Sequence, residues 1–260
     1  AALINSLKII QKRPEDLKNY TPPDPEAPDV LGNIPEVVAR YKGKKAITAL
    51  GRDAFFNPAF LRGMEQFLID MIENPDLVHQ LIEITLAHDL RAMQRVIQAG
   101  VDVIIFGDDY ADKNSPLMSP RHFKEFILPG LTRCVKAAHE AGAYVIKHTD
   151  GNIMPILDMI VDTGIDGLNP LEPVAGMDIG LIKQRYGKRI ALIGNIDCGY
   201  LLSQAPVAEV RQITRETMQV AMPGGGYCLS SSNSIHSSVK PDNFMAMIET
   251  WRECRDYPTA

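Results

Sequence analysis

From Lys45 onward the chain alternates short apolar runs with amphipathic helical stretches, and this pattern constrains the fold more than any other feature. Such alternation is the signature of β/α units and a parallel sheet. Six runs read as strands: Ala46–Leu50, Val103–Phe106, Tyr144–Lys147, Gly167–Asn169, Ile190–Ile193 and Tyr227–Leu229. The helices between them carry start and stop signals. Asn74-Pro75-Asp76 offers an N-cap, a first-turn proline and a first-turn acid, with Leu77, Leu81, Ile84 and His88 at helical spacing before Gly100. Ser119-Pro120, Pro155 and Pro241-Asp242 open further helices, and Gly164 stops the one after Pro155. An open dinucleotide-binding sheet is the competing architecture. It requires a G-x-G-x-x-G turn after a strand, whereas Gly224-Gly225-Gly226 precedes one and reads as a helix-to-strand connection.

Residues 1–45 differ in texture. The run Asn19-Tyr20-Thr21-Pro22-Pro23-Asp24-Pro25 suits neither a helix nor a central strand, so this segment is expected to form an irregular arm on one domain spanning 1–260. With 27 Lys and Arg against 32 Asp and Glu, the net charge of −5 and the lack of a basic run argue against a nucleic-acid partner. The longest apolar runs are too short for a membrane span, and no signal peptide opens the sequence. Cys134, Cys198, Cys228 and Cys254 form no C-x-x-C pair, which makes a reducing cytoplasm the expected location. Cys228, alternating with its strand neighbours, reads as a small buried residue.

Polar residues gather where the strands end. Gly51-Arg52-Asp53 follows the first, Gly107-Asp108-Asp109 the second, and His148-Thr149-Asp150-Gly151-Asn152 the third. Asn169 and Glu172, Asn195 and Asp197, and Ser230 to Asn233 follow the others. Parallel strands point their C-terminal ends to one face, so these residues are expected to line a pocket. Each has a plainer reading. Asp108 and Asp109 could cap the next segment, His148 could be a core histidine, and Glu172 and His236 could be solvated loop residues. Asn195 and Asn233 could simply form turns. A histidine and carboxylates in such loops suit either a divalent-metal site or general acid–base work, and spacing does not choose between them.

The run Phe106-Gly107-Asp108-Asp109, followed by Leu117-Met118-Ser119-Pro120 and Phe123-Lys124-Glu125-Phe126-Ile127-Leu128-Pro129, resembles the uroporphyrinogen decarboxylase superfamily. So do His148-Thr149-Asp150-Gly151-Asn152, Gly194-Asn195-Ile196-Asp197 and Gly225-Gly226-Tyr227 with Ser231-Ser232-Asn233-Ser234-Ile235. The resemblance runs from about Tyr20 to the C-terminus. It implies a (β/α)8 TIM-like barrel, here expected to lack its N-terminal one or two strands, and an enzyme of one of two branches. Decarboxylases of the superfamily remove carboxylates from a tetrapyrrole without a cofactor. The related methyltransferases bind zinc through a His-x-Cys motif and a second cysteine, and exchange methyl groups with a corrinoid protein.

His148 matches the methyltransferase histidine, while Asp150 and Asn233 stand where the two cysteines would be. The resemblance thus implies a metal-assisted methyltransferase or O-demethylase, with Asp108, Asp109, His148 and Asp150 catalytic. It implies a divalent metal, zinc before others, on His148, Asp150 and Glu172. Arg52, Asn195, Asn233 and His236 would bind a small-molecule substrate. A corrinoid protein is the implied partner, and a homodimer is left open. A cofactor-free decarboxylase, with Arg52 holding a carboxylate, is the alternative; a non-catalytic ligand-binding barrel is the third.

Overall fold

A computed structural model describes residues 14–256. The chain divides into two compact units, one made of residues 1–110, 117–147 and 156–165, the other of 111–116, 148–155 and 166–260.

The first unit opens with the proline-rich arm. Residues 1–13 of that arm lie outside the described residues. The rest is less irregular than its composition predicts: 3-10 turns occupy Pro14–Asn19 and Pro28–Leu31, and a helix, α1, spans Ile34–Tyr41. Pro35 falls in the first turn of α1, where a missing N–H costs nothing. The arm is tied down by Arg95, which donates to the carbonyl of Ala27, and by Lys42, which donates to that of Gly100.

Strands β1 (Thr48–Gly51), β2 (Val103–Phe106) and β3 (Tyr144–His148) pair in parallel, Thr48 beside Val103 and Val103 beside Tyr144. Between β1 and β2 lie α2 (Phe56–Arg62), α3 (Met64–Glu73) and the long α4 (Pro75–Gln98). Asn74 precedes α4 as expected, but its side chain does not cap the helix. It donates instead to Asp70 (2.9 Å), a buried carboxylate that also accepts from Arg62 and Gln66. Ser119 does cap, accepting from the His122 N–H (3.1 Å), and a π-turn over Phe123–Ile127 leads into α5 (Leu128–Glu140). The core of this unit holds Phe55, Phe67, Leu86, Ile104, Phe123 and Leu131. A short helix, α6 (Leu157–Asp162), ends at Thr163 ahead of Gly164.

In the second unit β4 (Gly167–Asn169) pairs with β5 (Ala191–Ile196), and β5 with β6 (Tyr227–Ser231), all parallel. Helices α7 (Ile179–Tyr186), α8 (Val207–Ala221) and α9 (Pro241–Cys254) follow β4, β5 and β6 in turn. Leu201, Leu202, Val210 and Met247 pack around Ile196 as this unit's core. The glycine run 224–226 precedes β6, each residue at positive φ, as a helix-to-strand connection. Cys228 departs from expectation. It is exposed, because Tyr227 and Leu229, its neighbours in β6, take the covered face of the strand. Among the described residues six strands, each followed by a helix, make the architecture α/β.

Candidate active site

Around the strand ends of the first unit the polar residues form a dry, closed network. Lys147, the penultimate residue of β3, is fully buried. Its ammonium donates to Asp53 Oδ2 (2.7 Å) and to the backbone carbonyl of Asp108 (2.8 Å), and lies 3.9 Å from the centre of the Tyr110 ring. Tyr110 donates its hydroxyl to the same Asp53 oxygen (2.6 Å). Asp108 Oδ2 accepts the backbone N–H groups of Asp53, Phe55 and Phe56 (2.9–3.2 Å), so this carboxylate organises the loop after β1. Burial raises the Asp108 pKa to about 7; the negative charge of Asp53 adds to the rise and the Lys147 ammonium opposes it. Burial and the Asp53 charge also push the Tyr110 hydroxyl well above the usual phenol range. Arg52 leans out, its side chain 42% exposed, with its guanidinium over the Phe56 ring and bonded to the Gly107 carbonyl. Asp109, the next residue after Asp108, is half-buried.

In the second unit, His148 and Asp150 point toward each other, Nε2 and Oδ1 being 3.5 Å apart. Behind the imidazole, Nδ1 lies 2.6 Å from Asn169 Oδ1 at the end of β4. Asn169 turns its amide nitrogen to the Ile193 carbonyl, so its oxygen is the atom facing His148. That oxygen can only accept, hence Nδ1 carries a hydrogen and Nε2 is the ring nitrogen turned toward Asp150. Asn233 donates to Asp150 Oδ2 (2.8 Å), and Glu172 accepts the Gly151 N–H (2.8 Å), fixing the turn after Asp150. Gly151 adopts φ +83, and a Cβ there would lie 2.4 Å from the Asp112 carbonyl oxygen, so only glycine fits. The set of one imidazole nitrogen, one carboxylate and flanking amides suits a divalent cation of intermediate hardness.

Three further residues singled out in the sequence make their hydrogen bonds elsewhere. Asn195 is buried and donates to the carbonyls of Leu171 and Met177, a bracing role within the loop after β4. His236 is exposed, its Nδ1 accepting from the Ser238 N–H (3.3 Å). Asp197 folds back onto the N–H groups of Gly199, Tyr200 and Leu201. Sequence reasoning gave no role to Lys147 and placed Asn169 only among the strand-end residues expected to line a pocket. A lysine between Ile146 and His148 in an apolar strand is a signal in itself, because a strand interior offers it no water.

The uroporphyrinogen decarboxylase (URO-D) family model matches residues 7–254. The chain belongs to this family. The methylcobamide:CoM methyltransferase MtaA of Methanosarcina barkeri (strain Fusaro / DSM 804) is 27% identical over 188 residues, 72% of this chain and 52% of its own length. The uroporphyrinogen decarboxylase of Nitrosococcus oceani is 24% identical over 193 residues, 70% of this chain and 50% of its own. The chain thus spans about half the length of the curated relatives it matches. A solved methyltransferase from Methanosarcina mazei superposes with a TM-score of 0.74 at 24% identity, over 88% of this chain and 65% of that one. At that identity the likeness speaks for the fold, which is α/β of the TIM-barrel kind. The similarity of this URO-D family member to known enzymes on both sides supports an enzyme.

Proposed function

We propose that this URO-D family protein is a metal-assisted methyltransferase or O-demethylase, with His148 and Asp150 as metal ligands. The observation that carries the reading is the Asn169–His148–Asp150 arrangement. An imidazole oriented from behind presents its Nε2 beside a carboxylate oxygen. When bound there, a divalent ion supplies Lewis acidity to a methylated donor or its acceptor. Asn169 accepts from Nδ1 and keeps the imidazole aimed, Asn233 holds the carboxylate, and Glu172 holds the turn between them. Glu172 is the first candidate for a further oxygen ligand. A corrinoid protein and a small methylated compound are the partners proposed from the likeness to the barkeri methyltransferase, in a cytoplasm that keeps the free cysteines reduced.

Elemental analysis of the purified protein tests this. About one divalent metal per chain, lost in His148→Ala and in Asp150→Ala, is the expected result. No metal in wild type sinks it.

A second reading rests on Arg52, whose part-exposed guanidinium, 3.4 Å from Asp108 Oδ1, has donors left for a substrate carboxylate. It makes the protein a cofactor-free decarboxylase. Arg52→Ala then abolishes binding of a carboxylated substrate, whereas under the first reading it leaves metal content unchanged.

A further inference from the structure

In the first unit a cavity of about 200 Å³ lies beneath the proline-rich arm, remote in sequence from the His148–Asp150 pair. Its walls are apolar. Tyr20, Pro22 and Pro23 line it from the arm, and Phe60 and Leu61 from α2. One corner is polar. There the Asp89 carboxylate, 12% exposed, accepts from Asn57 Nδ2 (2.7 Å) and sits 3.0 Å from His88 Nδ1.

Three features define what this corner attracts. An ionised carboxylate offers about four acceptor directions, and the two side-chain partners leave capacity for another donor. Neither Lys nor Arg lines the cavity; of its lining residues only His88, 3.0 Å from Asp89, can carry positive charge there. A second carboxylate, Asp24, acts on the same corner. Hydrogen bonding to Asp89 raises the His88 pKa against the effect of burial, and the Asp24 charge adds to the rise; burial and then the Asp89 charge raise that of Tyr20. Aromatic faces beside an anion stabilise an organic ammonium twice over, through the ring quadrupoles and through the charge. A dry cavity of about 150 Å³ accepts benzene, so this volume accommodates a ring with a short amine arm.

We propose that this cavity binds a small organic cation, a primary amine or ammonium on a compact aromatic or hydrocarbon body, with its charge against Asp89 and its body between Tyr20 and Phe60. The site is independent of the metal reading, since none of its residues belongs to that one.

Calorimetric titration of wild-type protein near neutral pH with benzylamine, benzyl alcohol and benzoate tests the assignment. The expected result is saturable binding of benzylammonium, binding of the neutral alcohol weaker by at least about tenfold, and no binding of benzoate. Asp89→Asn, which keeps the shape and removes the charge, should weaken benzylammonium by at least about tenfold. Should that variant fail to fold, Phe60→Ala at the half-open wall replaces it and should weaken benzylammonium with an unchanged urea midpoint. Equal affinities for amine and alcohol, unaltered binding in whichever variant folds, or no saturable heat with the amine would each overturn the proposal. His148→Ala should bind benzylammonium as wild type does, which separates failure here from failure of the metal reading.

Discussion

Asp108 accepts three backbone N–H groups, which favour its carboxylate, yet burial and the neighbouring Asp53 outweigh them and lift its pKa to about 7. In the unfolded chain the same group titrates near about 3.9. A raised acid pKa means the folded state holds the proton more tightly. Its contribution to stability is therefore complete below pH about 4 and is lost as pH rises through about 7. Urea midpoints across that window should fall for wild type. They should fall less for Asp108→Asn, whose amide oxygen still accepts the three N–H bonds. A second prediction concerns Asp150 and Asn233, which meet at 2.8 Å where the zinc methyltransferase pattern has two thiolates. Replacing both by cysteine should tighten zinc by at least about tenfold in a chelator competition, because thiolates suit zinc better than carboxylate and amide oxygens. An unchanged affinity would mean that the two side chains do not share a metal. The pairing of Asp150 with Asn233, 83 residues apart, could be suspected from the family pattern alone. The Lys147–Asp53–Tyr110 network could not. Its members carry no spacing motif, and only the packing that buries them makes an ammonium, a carboxylate and a phenol mutually necessary.

The elements were largely readable in advance. All six strands occur where apolar runs meet turn residues, and the largest boundary error, at β5, extends Ile193 to Ile196. That error has a physical cause: Asn195 looks like a turn residue but is buried and satisfied by the Leu171 and Met177 carbonyls. Helix α1 was hidden by the prolines before it. What sequence reading does not give is how closely the elements approach. Gly130 near the start of α5 is one such place, since a Cβ added there would lie 2.4 Å from the Ala54 Cβ in the loop after β1. Gly130→Ala should destabilise the protein by about 1–3 kcal/mol through overpacking. Adding Ala54→Gly removes the clashing methyl group, and the double variant should recover part of the lost urea midpoint. Additive losses would show that the two elements do not meet as described.

At the scale of the molecule, the family decides the kind of barrel and leaves the reaction to the loops, as this architecture commonly does. Relatives on the methyltransferase and the decarboxylase side match at similar identity, and the chain spans about half of either. Metal content is therefore the property that divides the two readings. Among the described residues no helix is long and apolar enough to cross a membrane. The exposed thiol of Cys228 matters for anyone handling the protein, because Cys134 and Cys198 are buried and Cys254 is half-buried. A maleimide dye should attach to Cys228 first in the native protein and to all four cysteines only in denaturant. The same accessibility makes air oxidation hazardous. Two chains joined through Cys228 would run as a pair on a non-reducing gel and pass for a natural dimer, so assembly should be weighed in the presence of reductant or with Cys228→Ser.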